Sequence, residues 1–274
     1  MALIGRLLSL GSCLVAVASA CPAGAQNQGT LRAGDLLSTQ LYAVGGVFAP
    51  LARSGSVTAV DMMDVPGATS GRSGGASSIK PLLGARVHVP LFWYMRDEQH
   101  LGLGVFVETG LQSGFGRDSF NQSFQNTSAT AADFGSRAIR EYFQIPVLLG
   151  VTVPVGDRSG PPAALFDIYG GLTLDSWSQV LQGGEANAPG QQGFYGENRR
   201  FSVDPTVGLG LRIPVGNLGD GLPLLFGLNA ELQFRPGSVV TAISNNFAVT
   251  YVGTADPQAN LAIMARLGIA FGSR

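Results

Sequence analysis

LLFGLNAELQFR, residues 224–235, is the stretch on which the fold turns. Leu224, Phe226, Leu228, Ala230, Leu232 and Phe234 occupy one side of a strand's alternating period. Gly227, Asn229, Glu231, Gln233 and Arg235 occupy the other. Successive side chains of a strand point to opposite faces, so this segment offers hydrocarbon to one environment and charge to another.

The same alternation recurs in both directions from it. In residues 201–215, Phe201, Val203, Val207, Leu209, Leu211 and Ile213 lie opposite Ser202, Asp204, Thr206, Gly208, Gly210 and Arg212. In residues 139–153, Phe143, Ile145, Val147, Leu149, Val151 and Val153 lie opposite Arg140, Tyr142, Gln144, Gly150 and Thr152, with Glu141 an exception on the apolar side. Residues 101–112 set Gly102, Gly104, Phe106, Glu108 and Gly110 against an apolar face. Residues 166–177 turn Asp167, Tyr169, Thr173 and Asp175 inward, and residues 82–93 do the same with Arg86 and His88. Residues 261–271 alternate strictly, with Met264, Arg266 and Gly268 on the polar side. A less regular segment, 41–49, whose facing the pattern leaves open, brings the number to eight. Each has about the 9–11 residues that a tilted strand needs to cross a bilayer, and some have more.

The links between these segments alternate in length. Long Gly/Ser/Asn-rich links (50–79, 113–137, 178–200, 237–259) take turns with short ones (94–100, 156–163, 216–222). Transmembrane barrels join their strands by short periplasmic turns and long outer loops, so both termini are expected on the periplasmic side. Residues 239–243 and 247–252 read as a short hairpin within the last long link, and residues 57–63 are also strand-like, so ten strands remain an alternative to eight. Trp93, Tyr94 and Trp177 fall at strand ends and suit an interfacial girdle, with a buried core position as the alternative.

Composition agrees with a membrane barrel. Charged residues make up only 13% of the chain, glycines number 39 and mean hydropathy is +0.23. Yet the longest apolar stretch after the N-terminus, 143–155, is interrupted by Pro146 and Pro154 and falls short of the roughly 18 residues of a spanning helix. Alternating strands are the remaining way to place so much apolar surface in lipid. A net charge of -1 and the lack of a basic block remove the electrostatic drive for nucleic-acid binding.

At the N-terminus, Arg6 followed by an apolar run to Ala18 and small-residue cleavage patterns read as a secretory signal. Cleavage is expected after Ala25, giving a signal peptide of residues 1–25, a periplasmic segment of 26–40 and a barrel of 41–274. Cys21 after Ala18-Ser19-Ala20 and Cys13 after Leu10-Gly11-Ser12 leave lipidation as the alternative.

The segment Arg140-Glu141-Tyr142-Phe143-Gln144-Ile145-Pro146-Val147-Leu148-Leu149-Gly150, with Tyr169-Gly170-Gly171, the Gly208 and Gly210 strand and the ending Gly268-Ile269-Ala270-Phe271, resembles the small outer-membrane β-barrel proteins. These are the porin-like barrels of the OmpA/OmpX and PorT type. The resemblance implies a closed antiparallel up-and-down transmembrane β-barrel, insertion by the barrel-insertion machinery and localisation in the cell outer membrane. Such proteins usually end on their aromatic, whereas Gly272-Ser273-Arg274 follow Phe271 here.

An eight-stranded barrel has an interior just wide enough for side chains to fill. The inward Arg86, Arg140, Arg212, Arg235 and Arg266 are therefore expected to pair with Glu108, Asp167, Asp175, Asp204 and Glu231 in a structural network. The expected role is a structural or surface-interaction scaffold that presents four long loops, with outer-membrane lipid and a possible extracellular partner as its contacts. A narrow channel for small solutes is the alternative, and a lipid-modifying enzyme is a further one. No enzyme activity, cofactor or metal is expected. Gly71-Arg72-Ser73-Gly74-Gly75 lacks the strand and helix of a nucleophile elbow. His88 and His100 are the only histidines, too few for a histidine-based metal centre, although His88, Glu108 and a serine can be drawn as a triad. The glycine pairs 102/104 and 208/210 lack the helix of a dinucleotide loop, and Asn121 and Asn126 are loop chemistry.

Overall fold

The computed structural model describes residues 38–51, 55–61, 79–95, 101–114, 124–125, 134–156, 162–183, 194–218, 222–244 and 249–271. The expected signal peptide, Cys13, Cys21, the Gly71 motif, His100, Asn121, Asn126 and the last three residues lie outside them. Among the described residues twelve strands are formed in chain order: β1 (Gln40–Pro50), β2 (Gly55–Asp61), β3 (Lys80–Met95), β4 (Leu101–Gly114), β5 (Phe124–Gln125) and β6 (Phe134–Val155). There follow β7 (Ala164–Gly183), β8 (Phe194–Leu218), β9 (Leu222–Arg235), β10 (Ser238–Ser244), β11 (Val249–Ala255) and β12 (Gln258–Ala270).

Eight of these close on themselves in the order β1, β3, β4, β6, β7, β8, β9, β12 and back to β1, every pair antiparallel. The ring is an up-and-down barrel, and closure leaves no free strand edge at its level. The segment around residue 235 sits as its alternation dictates, with the residues of its polar side buried in the lumen and its apolar side turned outward. Leu83, Leu111, Val147, Leu149, Ile168, Leu172, Val207, Leu209 and Leu267 are all exposed on the outside of the ring. An exterior this apolar is far larger than the isolated patches of a soluble surface.

The first strand, whose facing the sequence leaves open, turns Gln40, Tyr42, Val44 and Phe48 inward. Both its faces carry hydrocarbon because the lumen at this wall is itself apolar, with Val44 and Phe48 clustered with Leu82, Ala262 and Met264.

The strands β10 and β11 and the strand β2 do not enlarge the ring. They extend it upward at the long-link end: β10 pairs with the start of β8 at Tyr195 and Phe194, β11 with β10, and β2 with β11. On the neighbouring wall β6, β7 and β8 run for 22, 20 and 25 residues, about twice what a bilayer crossing requires. Residues 178–183 and 194–200, expected as a loop, are a continuation of the ladder, pairing Ser178 with Arg199 and Leu181 with Gly196. Outside a bilayer both faces of a strand tolerate polar residues, so the hydrophobic alternation that marks a membrane strand disappears while the pairing persists. Buried Leu181, Val240 and Ala242 mark where this extension packs.

Candidate functional site: the lumen

At the short-turn end the lumen is closed by hydrocarbon. Leu165, Leu225 and Ala270 are buried together, and Trp93 packs against them. Trp93 pairs across the ladder with Gly104, where an added Cβ would stand 2.7 Å from the indole ring. Tyr94, its neighbour, is exposed and suits the expected girdle.

Above this floor lies a layer of ion pairs. Arg86 donates to Glu108 at 3.1 Å, to Gln112 at 2.8 Å and to both oxygens of Glu231. Arg266 bridges Glu108 at 2.8 Å and Asp167 at 2.9 Å. Arg212 grips Asp167 with Nε at 2.7 Å and Nη2 at 2.6 Å, and also donates to Gln40 and Thr152. The Tyr169 hydroxyl donates to Glu231 at 2.9 Å and accepts from Asn229 at 2.7 Å. The layer is possible because glycine clears room beside its long side chains. A Cβ at Gly227 would lie 2.6 Å from Arg266 Nε, and one at Gly208 would lie 2.4 Å from the Tyr169 ring.

A second layer sits nearer the long-link end. Arg235 donates to Glu141 at 2.9 Å and to Asp175, approaches Asp204 at 3.6 Å, and lies with its guanidinium carbon 5.0 Å from the Trp177 ring centre. Lys80 also reaches Glu141, at 3.4 Å. Trp177 is almost fully buried and donates to Ser202 at 3.0 Å, so it belongs to the lumen and not to the interfacial girdle. Charges taken out of water persist only when paired in this way, and removing one partner of a buried pair typically costs about 3–5 kcal/mol.

Nine of the ten charges expected in the lumen are buried there: Arg86, Glu108, Asp167, Asp175, Asp204, Arg212, Glu231, Arg235 and Arg266. Arg140 is the tenth, and it lies on the exterior. A register shift between Glu141 and Phe143 explains the exchange: Glu141 pairs across from Trp177 and turns inward, whereas Arg140 pairs across from Ser178. Ser113 supports the irregularity by donating to the Tyr142 carbonyl at 2.6 Å. Glu141 and Lys80 are the lumen charges that alternation misses, the first because a bulge breaks the count and the second because it stands at the very start of β3.

His88 and Glu108 do meet, Nδ1 to Oε2 at 3.2 Å. The other ring nitrogen faces Arg212 at 3.2 Å, so the position that a nucleophilic hydroxyl would need is taken by a guanidinium. Among the described residues no cluster of His, Cys, Asp or Glu is arranged to hold a metal.

No family model matches the chain, and no curated relative matches it. Among solved structures, the outer membrane protease OmpT from Escherichia coli is 8% identical, with 89% of this chain and 100% of that chain covered and a TM-score of 0.40. The attachment invasion locus protein Ail of Yersinia pestis is 9% identical, with 83% and 98% covered and a TM-score of 0.25. The toluene transporter TodX of P. putida is 8% identical, with 86% and 91% covered and a TM-score of 0.18.

Proposed function

We propose that this chain is an integral outer-membrane β-barrel that passes no solute and acts as a scaffold, holding its raised β wall and outer links toward the outside of the cell. Export would be directed by residues 1–25, and insertion would use the barrel-insertion machinery. The observation that carries the reading is the filled lumen: an apolar floor at Trp93, Leu165 and Leu225, an ion-pair layer around Arg86 and Arg212, and a cap of Arg235 on Trp177. An apolar exterior around a charged, packed interior suits a bilayer and no other solvent. Catalysis and nucleic-acid binding form no part of this role.

Planar-bilayer recording of the refolded protein tests it, with folding established separately by heat-modifiable gel mobility. Folded protein that gives no conductance steps agrees with the scaffold. Stable, reproducible steps overturn it in favour of a narrow channel. That second reading draws on the buried polar atoms without partners among the described residues, including both amide atoms of Asn260 and one carboxylate oxygen each of Asp175 and Asp204. Such atoms are where water would enter if the upper layer were wet.

A further inference from the structure

On the exterior of the raised wall, two consecutive rows cross the strands β6, β7 and β8. The row nearer the outer end is Arg140, Ser178 and Arg199, paired in register. The row directly beneath it is Phe143, Ser176 and Phe201. Each row therefore has two large side chains about 10 Å apart with a small serine between them, given a strand spacing of roughly 4.8 Å. The lower row opens onto the apolar exterior through Val203, Val207 and Leu209, all exposed. The upper row is polar. Arg199 holds its side chain 79% exposed and its guanidinium carbon 5.4 Å from the centre of the Tyr142 ring.

Tyr142 is the extra residue of the bulge, and it is turned out to this surface. Its hydroxyl meets Ser178 at 3.1 Å and donates to Glu197 at 3.0 Å. Glu197 also accepts from exposed Tyr195 at 2.7 Å and lies 3.9 Å from Arg199. Arg140 stands within electrostatic reach of Glu197 and Tyr195. One carboxylate is thus organised by two phenols, while two guanidiniums stand to either side of Ser178, itself buried against the Tyr142 hydroxyl, and leave a net positive charge. The bulge that removes Arg140 from the lumen is what assembles this surface.

We propose that Arg140, Tyr142, Glu197 and Arg199, set above Phe143 and Phe201, form a binding site for a phosphorylated glycolipid of the outer leaflet. The two guanidiniums would clamp a phosphate by charge-assisted hydrogen bonds. Glu197 and the phenols suit sugar hydroxyls, which a simple phospholipid does not offer. The phenylalanine pair and the serine between them suit the first methylenes of an acyl chain. The site rests on the membrane reading above, because only that reading places the lower row in hydrocarbon and the upper row at the headgroups.

The full-length mature protein is refolded into phosphatidylcholine vesicles containing a diphosphorylated acyl-disaccharide lipid or its enzymatically dephosphorylated form. It is then extracted in mild detergent and weighed by native mass spectrometry. The wild type is expected to retain the phosphorylated lipid and to lose the dephosphorylated one. Arg140→Ala with Arg199→Ala should weaken retention about tenfold or more, as expected when charge-assisted contacts are lost, with heat-modifiable mobility unchanged. Phe201→Ser tests the lower row and should lower retention without touching the phosphate contacts. Equal retention of both lipids, undiminished retention by the double variant, or displacement by inorganic phosphate as effective as by the lipid each overturns the site. Failure of the wild type to insert into any vesicle overturns the membrane reading itself, and with it the site.

Discussion

The Tyr42 ring lies against the bare backbone of its cross-strand partner Gly268, so close that a Cβ there would stand 2.3 Å from Cδ1. Arg266 covers the ring, its guanidinium carbon 4.8 Å from the centre. The arrangement recurs three times: Tyr169 lies across from Gly208, Phe106 across from Gly150, and Trp93 across from Gly104. At these places the bare glycine makes the room that the large aromatic fills, so each pair is one packing unit spread over two strands.

Gly268→Ala should therefore destabilise the folded barrel by about 1–3 kcal/mol, the usual cost of forcing a methyl into a packed interior. Gly45→Ala, whose added Cβ would meet only Leu83 Cδ2 at 3.4 Å, should change stability by less than about 0.5 kcal/mol. Urea titrations of both variants in vesicles, followed by gel mobility, measure the difference, and equal midpoints would contradict the packing unit.

Glu231 accepts from Arg86 and Tyr169 together. Glu231→Ala leaves a buried guanidinium short of a partner and should cost about 3–5 kcal/mol. The same titration measures it. A variant that folds with wild-type stability and acquires altered ion selectivity would instead speak for a water-lined channel.

Arg235→Ala should be as damaging, since Glu141, Asp175 and Asp204 all turn toward that side chain. Arg140→Ala, at the neighbouring exterior position, should stay within about 0.5 kcal/mol of wild type. Similar losses from both substitutions would put Arg140 back in the lumen.

The chain holds two tryptophans. With Trp93 replaced by Phe, fluorescence reports on Trp177 alone. That residue is buried beneath Arg235, so brominated acyl chains and aqueous iodide should both leave its emission nearly unquenched. Strong quenching by the brominated lipid would place it in an interfacial girdle.

The ring was legible in the sequence wherever a strand separates an apolar exterior from a charged lumen, because those two faces impose opposite demands on neighbouring residues. Residues 224–235 and 261–271 obey that demand throughout and sit as read. Legibility failed at three kinds of place. In β1, Val44 and Phe48 face an apolar part of the interior, so both sides of the strand carry hydrocarbon. At Tyr142 a single extra residue shifts the parity, which exchanges Arg140 for Glu141 in the lumen. Beyond the closed ring, in residues 178–183 and 194–200, there is no regular apolar face to give the pairing away. The charge pairs were legible as a set but not as partners, since which arginine meets which carboxylate depends on how the closed ring brings distant strands to one level.

The raised wall has a mechanical consequence. β7 and β8 are paired in one unbroken register from Leu165 and Arg212 near the short turns to Gly183 and Phe194 at the outer tip. Their ladder bonds lie across the strand direction. A pull on the tip along the strands therefore loads these bonds in shear, many at once, and delivers the force to the closed ring. A stiff lever, not a tether, joins the tip to the ring.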